Sequence, residues 1–529
     1  MKRPYTTILS VLALLALVFA LPTASALAQV EELAVADMVA EMGEMTEIGD
    51  ISLDQRINET IAPLSDAVTG FVFYTVLVGE SRFPVIVVWL ILTAVIFTFY
   101  FRFINFWGFA HAISVVRGRH TCRSEAGEVT HFQALTAALS GTVGLGNIAG
   151  VAAAIALGGP GATLWMIIAA FFGMASKFLE CALGAKYREV YEDGTVSGGA
   201  MYYLSRGLAD HGLPRLGRVL ATFFAVMCVG GALGAGNMFQ ANQAFQQVST
   251  ATGDAVGFFN ESGWLFGLIL AGIVALVIIG GIKSIARVTE FVVPFMGLFY
   301  VLASVAILFI HADQVPTALR AIFVGAFTPE AGYGGLIGVL MWGFQRATFS
   351  NEAGIGSAPI AYSAVQTDEP LSVGFVSLLE PFIDTVIICS MTALVIVISG
   401  VYLDGEGLRG VEMTSAAFAS AFDWFPYLLA VAVTLFAFST IITWSYYGLK
   451  SWTYLFGKNP ASGHIFKLIF CTFTVIGASM ELGKVIGFSD AMIFAMALPN
   501  GIGMFILARG VKRDLKEYWA REGKTSAAQ

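Results

Sequence analysis

Long apolar runs separated by short polar segments dominate the chain from about residue 84 onward. A helix needs about 20 apolar residues to cross the hydrocarbon of a bilayer. The runs predict eleven transmembrane helices, over 84–105, 132–157, 161–185, 217–247, 263–282, 286–310, 334–364, 371–401, 424–449, 464–481 and 487–508. No charged residue lies between Glu128 and Lys177, so this stretch predicts two helices joined by a glycine-rich turn at 158–161.

The composition places the chain among membrane proteins. Hydrophobic residues make up 57% of it and charged residues 12%, whereas soluble domains carry about 25% charged residues. No basic run interleaved with aromatic residues is present, which argues against nucleic-acid binding. The cysteines and histidines show no spacing typical of a metal site, so we expect no resident metal or other cofactor.

Residues 1–28 have the features of a secretory signal peptide. Lys2 and Arg3 precede a short apolar run, and Ala26 and Ala28 are typical of a cleavage site. A retained first transmembrane helix is the alternative. After the signal peptide, residues 29–82 would be exported. They would begin with an acidic, disordered part and continue from about residue 53 as an amphipathic helix that lies on the outer membrane surface.

The distribution of Lys and Arg predicts the orientation. If the mature N-terminus is outside, the cytoplasmic loops and tail hold 19 of these residues and the outer loops hold five. Positive residues are enriched on the cytoplasmic side of membrane proteins. We therefore expect a multi-pass protein of the bacterial inner membrane, with its C-terminus in the cytoplasm.

Two predicted spans contain residues that disfavour a continuous helix. Residues 139–150 hold four glycines, and residues 349–359 place polar and small residues in the middle of an apolar run. Glycine costs about 1 kcal/mol relative to alanine in a helix interior. We expect non-helical backbone over 140–150 and 349–356, with close helix packing through Gly146 and Gly150 as the alternative for the first stretch.

The two breaks occupy corresponding places in the chain, because each opens a set of five spans once the first span is set apart. Such a pair points to an inverted-repeat transporter, in which the freed N–H groups suit a carboxylate and the freed carbonyls suit a cation. The predicted organisation is an extra transmembrane helix at 83–108, a first five-helix repeat at 129–311, a second five-helix repeat at 332–508 and a cytoplasmic tail at 509–529.

Several motifs carry a family resemblance. Residues 138–150, 171–180 and 349–361, together with Asp384-Thr385 and the Trp-Ser-Tyr-Tyr-Gly run at 444–448, resemble the alanine or glycine:cation symporter family. The resemblance extends from about residue 53 to the tail. It implies an all-α LeuT-type fold of two inverted repeats, and sodium-coupled transport of alanine or glycine, with proton coupling in some members.

The resemblance also implies an ion site. Carbonyls of Ser140 and Val143 would bind sodium together with the hydroxyls of Ser439 and Thr440. The alternative for both hydroxyls is a hydrogen bond to their own helix. Asn147 is a candidate ligand for a second ion.

An amino-acid site follows from the same resemblance. Main-chain amides at the first break would bind the carboxylate, and other residues would line the pocket for the amine and side chain, although Phe349 could serve packing alone. The implied residues are Thr142, Gly144 and Gly146 for the carboxylate, and Gln240, Phe349, Ser350 and Thr443 for the pocket.

Charged residues inside the predicted spans are costly and usually face partners or water. Lys177 and Glu180 lie three residues apart, which predicts a pair on one helix. Arg346 and Glu352 flank the second break and are a candidate cytoplasmic gate.

The function favoured by these features is sodium-coupled symport of a small neutral amino acid by alternating access, in a protein surrounded by membrane lipid. Proton coupling is the close alternative. A channel or receptor is the alternative of a different class, although no charge ring or repeated filter is visible. An enzyme is not expected, since the sequence lacks a nucleophile–base pattern.

Overall fold

The computed structural model describes residues 69–70, 72–78, 81–118, 126–252, 262–327, 335–403 and 410–526. All of them belong to one compact unit, Asp54–Gln529, whereas the other unit, Met1–Leu53, lies outside the described residues. The predicted signal peptide (1–28), the acidic part of the exported segment and nearly all of its amphipathic helix therefore also lie outside the described residues.

The described chain is mostly helical. Its α-helices, numbered in chain order, are α1 (Val85–Tyr100), α2 (Ile104–Trp107), α3 (Phe109–Val116), α4 (His131–Thr142), α5 (Val151–Gly158), α6 (Ala162–Lys186), α7 (Ala200–Tyr202), α8 (Leu208–Asp210), α9 (Pro214–Leu233), α10 (Phe239–Thr252), α11 (Gly263–Ile278), α12 (Gly281–Ile310), α13 (Val315–Phe327), α14 (Gly335–Asn351), α15 (Pro359–Tyr362), α16 (Pro370–Ser377), α17 (Leu379–Pro381), α18 (Ser390–Ser399), α19 (Val411–Ala419), α20 (Phe425–Phe456), α21 (Pro460–Ser479) and α22 (Leu482–Ser526). Wider π-helical turns occur at Gly146–Gly150, Tyr203–Gly207, Gly234–Met238 and Phe382–Cys389, and a 3₁₀ turn occurs at Val401–Leu403.

Within the described ranges, two short antiparallel hairpins accompany the helices. Strands β1 (Thr75–Val78) and β2 (Ser81–Pro84) pair with Val76 opposite Phe83, just before α1. Strands β3 (Glu189–Val190) and β4 (Val196–Ser197) pair after α6. The first hairpin ends the segment predicted to be exported, where no strand was expected from the sequence.

Among the described residues, seven helical stretches are long and apolar enough to cross a membrane, and an eighth is added if one bent pair counts as a single span. The chain is therefore a multi-pass membrane protein. The predicted spans at 84–105, 263–282 and 334–364 correspond to α1, α11 and α14, whose lengths are 16, 16 and 17 residues. Each is shorter than the roughly 20 residues that a span requires. The number eleven consequently stays a prediction.

Two helices organise the interior. Helix α6 packs against α1, α14 and α16, and its residues from Gly173 to Ala185 are buried. Helix α20 packs against α4, α9, α10 and α12. The outer helix α12 exposes Phe291, Phe295 and Leu298, as expected for a face that contacts lipid. Helix α4 packs on α20 and helix α14 packs on α6, so α20 and α6 support the two helices that end at the predicted breaks.

Candidate functional site

The first break follows α4. A capping box fixes the start of this helix, because Thr130 Oγ1 accepts a hydrogen bond from Gln133 N and Gln133 Oε1 accepts one from Thr130 N. The helix ends at Thr142, residues 143–145 are non-helical, and the π-helical turn Gly146–Gly150 leads into α5. The two halves are bent by 52°.

The predicted interval 140–150 was therefore too long. Residues 140–142 remain helical, since Val143 N still donates to Leu139 O at 2.6 Å and closes the last turn. Residues 146–150 are helical with a wider turn. The glycines correctly indicated a break, which occupies residues 143–145.

The second break separates α14 from α15 and covers residues 352–358. The backbone is left-handed at Glu352 (φ 56°), Gly354 (φ 83°) and Gly356 (φ 93°). The predicted interval, 349–356, began three residues early, because Glu352 N donates to Thr348 O at 2.9 Å and completes the last turn of α14. Phe349 and Ser350 are thus helical.

Glu352 has an unusual backbone for a residue with a side chain, since φ > 0 is uncommon outside glycine, asparagine and aspartate. Its buried carboxylate accepts hydrogen bonds from Ser357 Oγ and from Trp444 Nε1, the latter at 3.1 Å. The same indole nitrogen lies 3.2 Å from the carbonyl of Gly141 in α4. Trp444 of α20 therefore contacts both broken helices.

Three of the predicted sodium ligands lie together. Thr440 Oγ1 donates to Ser140 O at 2.9 Å, and Ser140 Oγ donates to Ser439 O at 2.6 Å. Ser439 Oγ donates to Phe436 O of its own helix at 3.0 Å, which is the back-bonding alternative considered for it. Val143 is buried at the start of the break.

A small cavity lies between the two breaks. Its lining includes four residues predicted for the amino acid, namely Thr142, Gly146, Gln240 and Phe349. The remaining lining residues are Gly141, Ala235, Glu352, Trp444 and Ile493. The ring of Phe349 meets that of Phe239 edge to face, with 5.3 Å between centroids.

The other three predicted residues do not line this cavity. Gly144 N donates to Asn147 Oδ1 at 2.8 Å, and Ser350 Oγ donates to Asp384 Oδ2 at 2.8 Å. Thr443 is buried, and a Cβ placed on Gly141 would lie 3.2 Å from its methyl group. In this conformation Gly144 and Ser350 make internal hydrogen bonds.

A buried carboxylate links the two breaks. Asp384 Oδ1 accepts a hydrogen bond from Asn147 Nδ2 at 2.6 Å, and Oδ2 accepts from Ser350 Oγ and from Thr385 Oγ1 at 2.7 Å. No cationic side chain forms an ion pair with it within the described ranges. In the sequence, Asp384 was noted as part of a motif that carries the family resemblance, and it was given no place in a site. Its isolation from Lys and Arg was not predicted.

The two residues of the candidate gate, Arg346 and Glu352, have different partners. Arg346 forms its ion pair with Asp490 of α22, whereas Glu352 bonds to Ser357 and Trp444. The guanidinium carbon also lies 5.1 Å from the centroid of the Phe349 ring. Asp490 had been overlooked in the sequence, although a charged residue inside an apolar run is itself a signal for a buried partner.

The ion pair predicted within α6, between Lys177 and Glu180, is the longer of the two that Lys177 makes. Lys177 Nζ lies 2.9 Å from Glu380 Oε1 and 4.0 Å from Glu180 Oε1. Its principal partner is therefore on α17, about 200 residues away along the chain.

Comparison with known proteins gives a consistent result. Residues 70–529 match the model of the sodium:alanine symporter family. The sodium/alanine symporter AgcS of Methanococcus maripaludis is 39% identical over 82% of this chain and 94% of its own length. The putative sodium/proton-dependent alanine carrier protein YrbD of Bacillus subtilis is 35% identical over 75% of this chain and 82% of its own length. The probable sodium/glutamine symporter GlnT of Bacillus subtilis is 32% identical over 82% of this chain and 87% of its own length. These relatives are transporters rather than enzymes, and the chain belongs to the sodium:alanine symporter family.

Proposed function

We propose that this protein couples the entry of sodium to the uptake of a small neutral amino acid, alanine or glycine, by alternating access. The observation that carries the proposal is the pair of helix breaks around one small cavity, with Thr440 of α20 bonded to the carbonyl of Ser140 beside the first break. Main-chain groups freed at a break are suited to bind both an ion and a zwitterion.

Sodium would bind between α4 and α20. Its ligands would be the carbonyls of Ser140 and Val143 and the hydroxyls of Ser439 and Thr440. These are hard, uncharged oxygen atoms, and they suit a small hard cation held without a carboxylate. The hydrogen bond from Thr440 Oγ1 to Ser140 O would open as the ion enters, because both of these oxygen atoms would turn toward it. Ser439 Oγ would likewise leave the carbonyl of Phe436, to which it now donates.

Asn147 is proposed to serve a second ion, and its surroundings strengthen that assignment. The buried carboxylate of Asp384 and the hydroxyls of Ser350 and Thr385 lie beside it. A buried carboxylate without a cationic partner is costly. A monovalent cation at this position would offset the charge and would join the first break to the second.

The residues that line the cavity suit a small zwitterion. The amides of residues 142–146 would meet the carboxylate, and Gln240 Oε1, which now accepts from Leu145 N at 3.0 Å, would turn to the amine. Phe349 and Trp444 close the sides of the cavity. Ser350 and Thr443 would complete the pocket after rearrangement. The name of GlnT indicates that glutamine, an amino acid with a larger amide side chain, is an alternative substrate for a protein of this family.

The membrane architecture is proposed in the same terms. The chain would have the LeuT-type arrangement of two inverted five-helix repeats at 129–311 and 332–508, with α1 as the extra helix. The mature N-terminus would lie outside the inner membrane and the tail at 509–529 in the cytoplasm.

One sodium ion driven by about 100 mV contributes about 2.3 kcal/mol, and a tenfold gradient adds about 1.4 kcal/mol.

Uptake of radiolabelled alanine by proteoliposomes that contain the purified protein tests the proposal. We expect saturable uptake that requires an inward sodium gradient at constant pH and that is strengthened by an inside-negative potential. Uptake driven by a pH gradient without sodium would favour proton coupling, an alternative that the name of YrbD keeps open. Flux that does not saturate would favour a channel.

A further inference from the structure

A second group of buried charges lies outside the cavity and the proposed sodium site. It consists of Lys177 and Glu180 of α6, Glu380 of α17, Asn500 of α22 and Tyr203, and we call it the charge cluster. The three charged side chains are fully buried. The function proposed above gives these residues no role.

The charge cluster is unbalanced. One ammonium group, Lys177 Nζ, lies 2.9 Å from Glu380 Oε1 and 4.0 Å from Glu180 Oε1. Full ionisation would leave a net charge of −1, because two carboxylates share one lysine. Buried charge without a partner is strongly unfavourable. The charge cluster therefore needs one further positive charge.

Neighbouring ionisable groups do not supply that charge. Glu352 interacts electrostatically with Lys177 and Glu380, and Asp384 with Glu380, so both carboxyl groups add to the imbalance. Cys181 and Tyr203 face Glu180, Tyr362 faces Glu380, and these groups are neutral when protonated. Within the described ranges, no ion pair joins the cluster to a second basic side chain.

The two carboxyl groups of the charge cluster differ in their contacts. Glu380 makes the close ion pair with Lys177, at 2.9 Å. Glu180 lies farther from the lysine, at 4.0 Å, and its Oε2 accepts a hydrogen bond from Asn500. We propose that Glu180 is a proton-binding site whose occupancy changes during the transport cycle.

Asn500 connects this site to the second break. Its Nδ2 donates to Glu180 Oε2 at 2.9 Å and to the carbonyl of Gly354 at 2.8 Å, while Tyr203 donates to its Oδ1. A Cβ on Gly356 would lie 2.9 Å from Asn500 Cγ, so the backbone of the break rests directly on this amide. Movement of the break therefore changes the hydrogen bond that stabilises ionised Glu180.

Proton exchange on substrate binding gives a direct test. Alanine is titrated calorimetrically into the purified full-length protein at saturating sodium, in buffers of different ionisation enthalpy. We expect the measured heat to depend on the buffer for the wild type, with up to one proton exchanged per alanine. This dependence should vanish in Glu180→Gln and persist in the control Glu192→Gln, which changes an exposed glutamate. A wild type whose heat is the same in every buffer overturns the proposal, and so does Glu180→Gln with an unchanged buffer dependence.

A second measurement does not depend on alanine, so it separates this inference from the proposed function on which the first test rests. The midpoint of thermal unfolding in detergent is measured over roughly pH 5 to 9, the range in which buried carboxyl groups titrate. We expect a step in the wild-type profile that Glu180→Gln lacks. In Asn500→Ala the step should move up by roughly one to two pH units, because the ionised carboxylate loses one charge-assisted hydrogen bond. A step that stays unchanged in both variants overturns the proposal.

Discussion

Gly144 allows a sharp test of the ion site, because it lies where the first break meets α20. A Cβ built on Gly144 would collide with Thr440 Oγ1, and it would lie 3.0 Å from Gln240 Oε1 and 3.4 Å from Thr440 Cβ. Threonine is β-branched and held in its helix, so its hydroxyl cannot move aside freely. Gly144→Ala should therefore displace the hydroxyl from the carbonyl of Ser140.

The size of the effect follows from overpacking, which costs about 1–3 kcal/mol at a buried site. The lost hydrogen bond between Thr440 and Ser140 does not add to this cost, because that bond would also open when sodium enters the wild type. If the cost of overpacking falls on sodium binding, the sodium concentration for half-maximal transport rises about 5-fold to 140-fold, at 1.4 kcal/mol per factor of ten.

Gly150→Ala is the matched control on the same segment. A Cβ at Gly150 meets nothing within 4 Å, and its backbone has an ordinary helical φ of −68°. This variant should transport alanine with unchanged sodium dependence. The assay is alanine uptake in proteoliposomes as external sodium is varied. Unchanged sodium dependence in Gly144→Ala would refute the placement of the ion beside Thr440.

Other substitutions test the remaining contacts. Thr440→Val should raise the half-saturating sodium concentration by roughly 10–150-fold, because the cation loses one oxygen ligand and a polar contact to a charged group contributes about 1.5–3 kcal/mol. Thr434→Val, which loses only a bond to its own helix, should leave it unchanged. Sodium-dependent uptake measures both variants, and equal shifts would contradict the site. Asp384→Asn should lower the number of sodium ions carried per alanine by one, as measured by flux ratios; an unchanged ratio would exclude the second ion. Arg346→Met should lower the free energy of unfolding by about 3–5 kcal/mol, because Asp490 is left buried and unpaired. Adding Asp490→Asn should restore most of the lost thermal midpoint. If the two substitutions lower the midpoint additively, the residues are not a coupled pair.

The positions of the breaks could be read from the sequence, but their limits could not. Four glycines within 139–150 marked the first interruption. Where α4 ends depends on the hydrogen bond from Val143 N to Leu139 O and on contacts with α20. Likewise, Phe349 and Ser350 stay helical because α14 closes its last turn at Glu352. Local composition predicts that a helix fails, and tertiary contacts decide at which residue.

Pairings across the chain were the least predictable feature. Lys177 and Glu180 are neighbours on one helix, yet the lysine is closer to Glu380. Arg346 pairs with Asp490, which is 144 residues away. A single sequence shows which buried charges require partners, but the partner depends on how helices pack. The family resemblance supplied the residues around Ser140 and Thr440, and composition alone would not have selected them.

Helix α20 would give the proposed coupling between ion and substrate a structural basis. Thr440 and Trp444 lie four residues apart, hence one turn apart on the same face of an uninterrupted helix. Thr440 contacts Ser140 at the proposed sodium site, and Trp444 contacts Gly141 and Glu352 and lines the cavity. A displacement of α4 from this face would open the ion site and loosen the wall of the cavity in the same movement. Sodium would hold both closed, because its proposed ligands lie on α4, at the first break and on α20. The ion would then bind the substrate-binding conformation more tightly than the open one, and such a differential affinity is what coupling requires.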